Sequence, residues 1–513
     1  MAPSTIPGSD PFADPTRMSE NSEYAAGDTL PVGRDASLTL ATDSLIVLDE
    51  DFTRRETRNC CGLLPSKAKT TQAIPFFHVL WAELSDFDIT IQYAKTTSKN
   101  VVRVASVNYL VEKPQQGYAK AWISKLLDRA YGESQRKKRI KILINPFSGR
   151  GGAQKWFLRD IEPIFVAARC EINVERTLYQ GHAVEIAEKM DTDAYDVVAS
   201  CSGDGLPHEV FNGLGKKRNA AKALSQVAIV QLPCGTGNAM SWNCFGTDST
   251  SLAALCIVKG IRTPLDLVSI TQGNRRTLSF LSQSVGIVAE VDLGTEHIRW
   301  MGSARFTYGF LVRVLRKTVY PCALAVKIDV PTKGAIKEAF RKEFNNHAPI
   351  EERRSSFDID TLGLPELQYG TVSSPLPSDF TPIPSSKPSA TFTRAIWLSM
   401  APGANFFPAA LPSDGYLDCV TVDGDISRTS AIQSFLAVED GSWFNMPHVN
   451  YRKISGYRIT PKGQKSGYIS IDGERVPFEE FQAEVHRGLG TVLTRSGHMY
   501  EAEGVIPRTG QGS

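Results

Sequence analysis

What this chain lacks excludes several kinds of protein. No uninterrupted apolar run approaches the roughly 18 residues that a membrane-crossing helix needs, so no span is expected. The first residues, "MAPSTIPGSDPFADPTRMSE", have no basic start followed by an apolar stretch, and no secretory signal is read there. Neither sign of charge dominates. Lys and Arg number 57 against 55 Asp and Glu, a net +2. Such a balance gives no global attraction to nucleic acid or to an anionic membrane, and no nucleic-acid partner is expected. The nine cysteines are scattered, odd in number and without metal-ligand spacing. That argues against a disulfide framework or a zinc site and for a reducing, cytoplasmic compartment. There is no internal repeat. No G-K-[S/T] follows a glycine loop at the Walker A spacing, and the dinucleotide G-x-G-x-x-G is absent.

What is present is a long chain with enough apolar residues for real cores. At 513 residues and 42% hydrophobic, two or three domains are expected. Residues 1–38 are rich in Ser, Pro, Asp and Gly and read as disordered. From "SLTLATDSLIVLDEDF" through "AIPFFHVLWAEL", "FDITIQYAK" and "NVVRVASVNYL" the pattern is strand-like, and "AWISKLLDRAYGES" reads as a helix. Residues 39–135 therefore read as a small β-rich module, with a pleckstrin-homology-like unit as one candidate. The basic run "QRKKRIK" then opens a different region.

Over 136–263, strand-like runs alternate with helix-like ones. "RIKILINP", "INVERTLY", "DVVASC" and "AIVQLP" are the strands. "HAVEIAEKM" is a helix, and "GAQKWFLRDIEPIFVAA" is a helix interrupted by Pro163. The alternation predicts an α/β lobe with a mostly parallel sheet, in which ligands bind at the carboxyl ends of the strands. From 264 to 505 the runs are again strand-like, among them "TLSFLSQSVGIVAEVD", and predict a β-rich, sandwich-like lobe. A Ser-, Pro- and Thr-rich stretch at about 345–390 reads as a disordered insertion.

Three glycine loops fall at strand ends: "NPFSGRGGAQK" from Asn145, "SGDG" from Ser202, and "LPCGTGN", where Gly235, Thr236, Gly237 and Asn238 follow a buried strand. Each alone could be a plain turn. In order along one sheet, they put backbone N–H groups and small hydroxyls at one edge, a triphosphate site without a P-loop. Asp204, between Gly203 and Gly205, would repel phosphate unless it takes a proton or holds a metal.

Taken together, "KILINPFSGRGGAQ", "SGDGLPHEVFNGL", "LPCGTGN", "VAEVDLGTEHIRWMGSARFTYG" and "ISIDGERV" resemble the diacylglycerol kinase catalytic family and, within it, the sphingosine (sphingoid long-chain base) kinases. The likeness covers roughly residues 139–332 and 391–495, and "AIPFFHVLWAEL" resembles the segment ahead of the kinase core in longer members. It implies an ATP- and Mg²⁺-dependent enzyme that phosphorylates the primary hydroxyl of a sphingoid base, with Asp204 as general base. It implies nucleotide contacts by Asn145, Pro146 and Phe147, by Thr177 to Gly181, by Ser202, and by Gly235, Thr236 and Gly237. Arg299 and Arg305 match phosphate-holding arginines, and Asp472, Gly473 and Glu474 a late return to the nucleotide. The "TLYQG" at 177–181 departs from the charged sequence common in relatives. Asp292 matches a residue that binds the lipid head and Ser282 a nearby hydroxyl. The metal ligands stay unknown. Phe280, Leu281, Phe306, Phe310, Leu311, Phe406 and Phe407 are candidates for the wall of a tail cavity. Without a membrane span, peripheral association with endoplasmic reticulum, Golgi or plasma membrane is implied, and Cys60 and Cys61 beside Arg54, Arg55 and Arg58 match an acylated segment. Oligomeric state stays open. The alternatives are a ceramide or diacylglycerol kinase of the same family and a non-catalytic lipid-binding protein.

Overall fold

The computed structural model describes residues 27–49, 71–149, 151–302, 304–316, 321–345, 362–383, 390–395, 405–423, 426–463 and 466–501. The chain forms two compact units, one of residues 1–93 and 106–132, the other of 94–105 and 133–513.

In the first unit, strands β1 (Thr29–Val32), β2 (Ala36–Leu40), β3 (Ser44–Asp49) and β4 (Thr71–Pro75) form an antiparallel sheet in that order. Strands β5 (Val79–Ser85), β6 (Asp88–Ser98) and β7 (Val101–Leu110) pair in a second sheet, the far part of β6 and the near part of β7 falling in residues 94–105. Strand β1 corrects the reading of 1–38 as disordered. Leu30 and Val32 are buried, and helix α1 (Gln116–Tyr131) clasps the residues just before. Trp122 Nε1 donates to Asp28 O, Tyr118 Oη to Thr29 O, and Arg129 pairs with the Asp28 carboxylate at 2.9 Å. The clasping groups lie about 90 residues downstream of β1, so local composition carries no trace of them. Cys60 and Cys61 lie outside the described residues.

The second unit opens with the expected α/β lobe. Strands β8 (Arg139–Ile144), β9 (Glu171–Arg176), β10 (Val197–Ser202) and β11 (Ala228–Pro233) pair in parallel in the order β11-β10-β8-β9. "VVASCS" is buried along its whole length, as a central parallel strand covered on both faces must be, and "AIVQLP", though at the end of the sheet, is buried as well because β-rich-lobe segments pack on it, whereas the other edge strand "EINVER" is largely exposed. The helix with Pro163 is split. Helix α2 (Ala153–Trp156) passes through a π turn at Phe157–Ile161 into α3 (Glu162–Ala167), where proline falls in the first turn and breaks no ladder bond. The lobe continues with α4 (His182–Lys189), α5 (Gly205–Gly215), α6 (Ala220–Gln226), α7 (Ala239–Phe245) and α8 (Thr250–Lys259). Lys138, from the basic run, is buried. Its ammonium donates to Val258 O at 2.7 Å at the carboxyl end of α8, to Gln135 O and to Ser134 Oγ, and burial lowers its pKa to about 8.

The remaining lobe is built on one large sheet. Strands β12 (Ile261–Gln272), β13 (Arg275–Ser279) and β14 (Ser282–Val285) lead into helices α9 (Ile287–Gly294) and α10 (Ala304–Arg316). Then come β15 (Cys322–Val330), α11 (Lys333–Phe344), β16 (Thr381–Pro382), β17 (Ala390–Ala395), β18 (Leu417–Asp423), α12 (Arg428–Leu436), β19 (Val449–Pro461), β20 (Ile469–Ile471), β21 (Glu474–Val476) and β22 (Phe481–Thr494). The order is β13-β12-β22-β19-β18-β17-β14-β20-β21, with β15 and β16 branching from β19. Two expectations are corrected. "SVGIVAEVD" is not all strand: Gly286, at φ +91°, turns the chain from β14 into α9, so Asp292 sits on a helix. Nor is 345–390 disordered throughout. Residues 362–383 are ordered, and Glu484 on β22 accepts from the backbone N–H groups of Gln368 and Tyr369, both at 2.8 Å.

The carboxyl ends of β8, β10 and β11 bring the three glycine loops into backbone contact. A Cβ on Gly235 would lie 2.4 Å from Gly203 Cα, and one on Gly149 2.5 Å from Cys234 O. Gly235 has no positive φ, so a substitution there tests contact alone. Gly235→Ala is expected to cost about 1–3 kcal/mol, the range for overpacking, read by urea denaturation. A stability equal to the parent protein would show that the loops are not held in contact.

Candidate active site

The loops are tied to one another before any ligand arrives. Gly203 N donates to Ser148 Oγ at 3.0 Å, Gly235 N to Asn238 Oδ1 at 2.9 Å, and Asn145 N to Cys201 O at 3.2 Å. The loops' N–H groups are not all open to a ligand. Those of Gly203 and Gly235 are spent inside, and these glycines serve close approach instead.

Asp204 stands at the N-cap position of α5 but makes no side-chain bond to that helix. Its oxygens instead accept from the first N–H groups of α7: Oδ2 from Ala239 N and Oδ1 from Met240 N, each at 3.0 Å. A carboxylate oxygen can accept more than one bond, so each keeps capacity toward the cleft. Burial in the cleft raises its pKa above the usual aspartate value. The two N–H donors and Gln231 pull the other way, while the charge of Asp472 adds to the rise.

Asp472 occupies the tight turn between β20 and β21 at φ +54°. Its carboxylate is fully buried. Oδ1 accepts from Ser279 Oγ (2.7 Å), Leu281 N (2.9 Å) and Ser282 N (2.9 Å), and Oδ2 from Phe280 N (3.0 Å) and His208 Nδ1 (2.8 Å). Burial alone would raise its pKa, but the bond and charge of His208, with the Ser279 and Phe280 donors, hold it below the usual carboxylate range. The Asp472 carboxylate is thus taken up within the protein, while the residue still lines the cavity. Beside it Gly473, at φ +82°, and Glu474 face the cavity, and Glu474 Oε1 lies 3.0 Å from where a Cβ on Gly205 would be.

One cavity of about 1880 Å³ runs from the glycine loops into the β-rich lobe, larger than the usual space for one small ligand. Asn145, Phe147, Thr177, Ser202, Asp204, Gly235, Thr236, Gly237, Ser282, Asp292, Arg305 and Asp472 to Glu474 all line it. Pro146 and Gly181 do not. Gly181, at φ +89°, caps α4 and donates to Glu209 Oε1 at 3.0 Å, while Ala183 N donates to Oε2 at 3.1 Å. Phe147, Leu178 and Tyr179 are exposed on the lining beside the glycine loops.

Asp292 and Arg305 lie together. Arg305 Nη2 is 3.7 Å from Asp292 Oδ1, and Nη1 donates to Asp292 O and Thr295 Oγ1. Asp292 Oδ2 also accepts from Ser470 Oγ at 3.3 Å. Arg305 is thus buried against the residue matched to the lipid head, with its guanidinium 4.3 Å above the Phe306 ring. The sequence set the two in separate roles. Arg299 lies in the turn Glu296–Met301, and its side chain is outside the described residues.

Of the tail candidates, Leu281, Phe306, Phe310 and Phe406 line the cavity. Phe280 instead stacks on Phe211 at 5.1 Å, Phe407 is fully buried, and Leu311 faces outward. The other wall, missed in the sequence, includes Val420, Phe435, Val438 and Trp443 from β18, α12 and the turn after it. The sequence reading also gave no role to His208, Glu209, Asn212 and Gln231. The spacing of the first three on α5 was visible, and Gln231 lies on β11, but the groups they meet were not. Asn212 Oδ1 accepts from Leu278 N and Asn212 Nδ2 donates to Leu278 O, both at 2.9 Å.

The description "Diacylglycerol kinase catalytic domain" matches residues 139–270, and "Domain of unknown function (DUF7493)" matches residues 28–132. A diacylglycerol-kinase-type catalytic domain is thus the class that the sheet and its loops define. Sphingoid long chain base kinase 5 of Saccharomyces cerevisiae is 35% identical over 435 residues, covering 74% of this chain and 63% of its own length. Sphingoid long chain base kinase 4 of Schizosaccharomyces pombe is 33% identical over 436 residues, covering 85% of this chain and 90% of its own. The chain belongs to the sphingoid long chain base kinase family. It spans less than two thirds of the first of these relatives and most of the second. A solved structure described as a putative diacylglycerol kinase from Bacillus anthracis str. Sterne aligns with a TM-score of 0.48 at 16% identity, covering 70% of this chain and 97% of that one.

Proposed function

We propose that this protein transfers the γ-phosphoryl group of ATP to the primary hydroxyl of a sphingoid long-chain base, with Asp204 as the general base. The observation that carries the reading is one continuous cavity whose lining holds Asp204 with the glycine loops, Asp292, and the apolar side chains of Phe306, Phe310, Phe406 and Phe435. As the lipid oxygen forms its bond to the γ-phosphorus, its proton passes to Asp204 and ADP leaves with the electrons of the breaking P–O bond. The α7 N–H groups hold the carboxylate in place, and its raised pKa brings it nearer the operating pH, which suits a base.

The rest is positioning and charge. Phe147 and Tyr179 offer apolar surface to the base of the nucleotide. Arg305 serves the phosphates only by leaving Asp292, whose carboxylate then takes the ammonium and hydroxyls of the amino-diol head. Among the described residues no group of three His, Cys, Asp or Glu could hold a metal. Mg²⁺ would enter with ATP, held by its phosphates and by water. There it would offset the negative charge of the transferring group.

A bilayer-borne substrate calls for a docking face. Among the described residues no helix is long and apolar enough to cross a membrane. Helix α10, whose inner face carries Arg305, Gly309 and Val314, exposes Tyr308, Leu311 and Leu315 at i, i+3 and i+7, and Trp300 in the preceding turn is 80% exposed. We assign peripheral membrane contact to this stripe at the cavity wall.

Three outcomes are expected. Asp204→Asn keeps the shape but cannot take the proton. Its kcat should fall by about 10²–10⁴ with ATP affinity little changed, and near-parental turnover would remove Asp204 from the base role. Asp292→Asn should lower kcat/KM for sphinganine by roughly one to two decades, the worth of a charge-assisted hydrogen bond. The parent should use ceramide and diacylglycerol poorly and lose less with them on substitution. Equal or better parental turnover of either lipid would replace the sphingoid-base reading with another acceptor. Tyr308→Asp with Leu315→Asp should weaken binding to anionic phospholipid vesicles and slow phosphorylation of vesicle-borne sphinganine, leaving activity on detergent-dispersed sphinganine close to parental. Unchanged vesicle binding would locate the docking face elsewhere.

A further inference from the structure

We propose that His208 is a positioning residue for proton transfer. It ties the helix that bears Asp204 to the Asp472 carboxylate, which organises the wall of the lipid lobe. This rests on the phosphoryl-transfer reading above.

His208 lies one turn after Asp204 on α5, and its N–H donates to Asp204 O. Its Nδ1 meets Asp472 Oδ2 at 2.8 Å, with 14% of the imidazole and none of the carboxylate exposed. A carboxylate only accepts, so Nδ1 carries the proton. The remaining acceptor capacity of Asp472 goes to Ser279 Oγ and to three consecutive backbone N–H groups, those of Phe280, Leu281 and Ser282. Leu281 and Ser282 line the cavity, as Asp204 does. One buried carboxylate therefore connects the residue one turn from the base with the wall along which the lipid hydroxyl arrives.

Holding the lobes together does not require this bond. Asn212 already brackets both backbone groups of Leu278, and Phe211 stacks on Phe280. What His208 adds is charge balance beside the base. The charged groups facing it are Asp472 and Glu474 from the β20–β21 turn and Glu209 from its own helix. Asn212 Nδ2 lies 3.3 Å from Nε2. Burial lowers the imidazole pKa, but the bond and charge of Asp472, then Glu474 and Glu209, outweigh it, and the net shift is upward. The charge of Asp472 in turn raises Asp204. Without the imidazole, Asp472 is uncompensated, Asp204 holds its proton to higher pH, and the hydroxyl and the base lose register.

The test compares the full-length parent with His208→Leu and His208→Gln, using sphinganine turnover from about pH 5.5 to 9, a range that brackets ordinary histidine titration. ATP affinity is followed by a fluorescent ATP analogue. His208→Leu should lower kcat by about 10- to 100-fold, the loss that misplacement by an ångström can cause, while ATP affinity stays near parental. Gln, which still donates to Asp472, should recover much of kcat at high pH. In both variants the acid limb of kcat/KM for the lipid should move upward. The inference is overturned if His208→Leu keeps parental kcat, or if the acid limb stays put. It is also overturned if kcat and ATP affinity fall together equally in both variants, as for plain loss of structure. If the parent proves to prefer ceramide or diacylglycerol, the function reading changes, and the comparison is made with that lipid, because the pair acts on Asp204 and not on the head group.

Discussion

The buried carboxylate of Asp472 is the constraint on which the site depends. It sits in a left-handed turn and accepts five hydrogen bonds from four segments' worth of chain: α5, the end of β13, the connection after it, and the start of β14. A buried anion of this kind is tolerable only when its acceptor sites are filled. Filling them forces three consecutive N–H groups to converge and sets His208 of α5 beside them. The cavity wall follows from that convergence.

A second constraint lies in the glycine loops. Their backbones touch where side chains would overlap, at Gly235 against Gly203 and Gly149 against Cys234. The loops thus form one rigid edge, and two of their N–H groups are consumed in making it. Asp204 belongs to the same edge through its bonds to the start of α7. The negative charge that looked out of place in a phosphate loop is neutralised in part by a helix N-terminus. Its burial raises its proton affinity, which suits the base role proposed for it.

The two ends of the cavity differ in how they are built. The nucleotide end is formed by short loops on a parallel sheet. The far end is assembled from segments spread between α9 and the turn before β19, more than a hundred residues of chain. Arg305 and Asp292 line the same cavity as an ion pair. Ligand entry therefore has to rearrange charge as well as fill space.

The sequence by itself determined the parallel α/β lobe, its four strands and the position of Asp204, because buried strands are uniformly apolar and tight turns demand glycine, and both are local requirements. It also carried the family likeness in its motif blocks. Only the tertiary structure decided which polar groups meet. The ordering of Thr29–Val32 depends on Trp122, Tyr118 and Arg129, far along the chain. The helix over Ile287–Gly294 hid in an apolar run that fits a strand equally well, and residues 362–383 are ordered by Glu484 and Gln482 on a strand beyond them. The sites of Arg305, Asp472 and His208 were decided in the same way. Hydrogen bonds between residues hundreds of positions apart leave no periodicity in the chain, since the partner of a buried charge is chosen by packing and not by sequence distance.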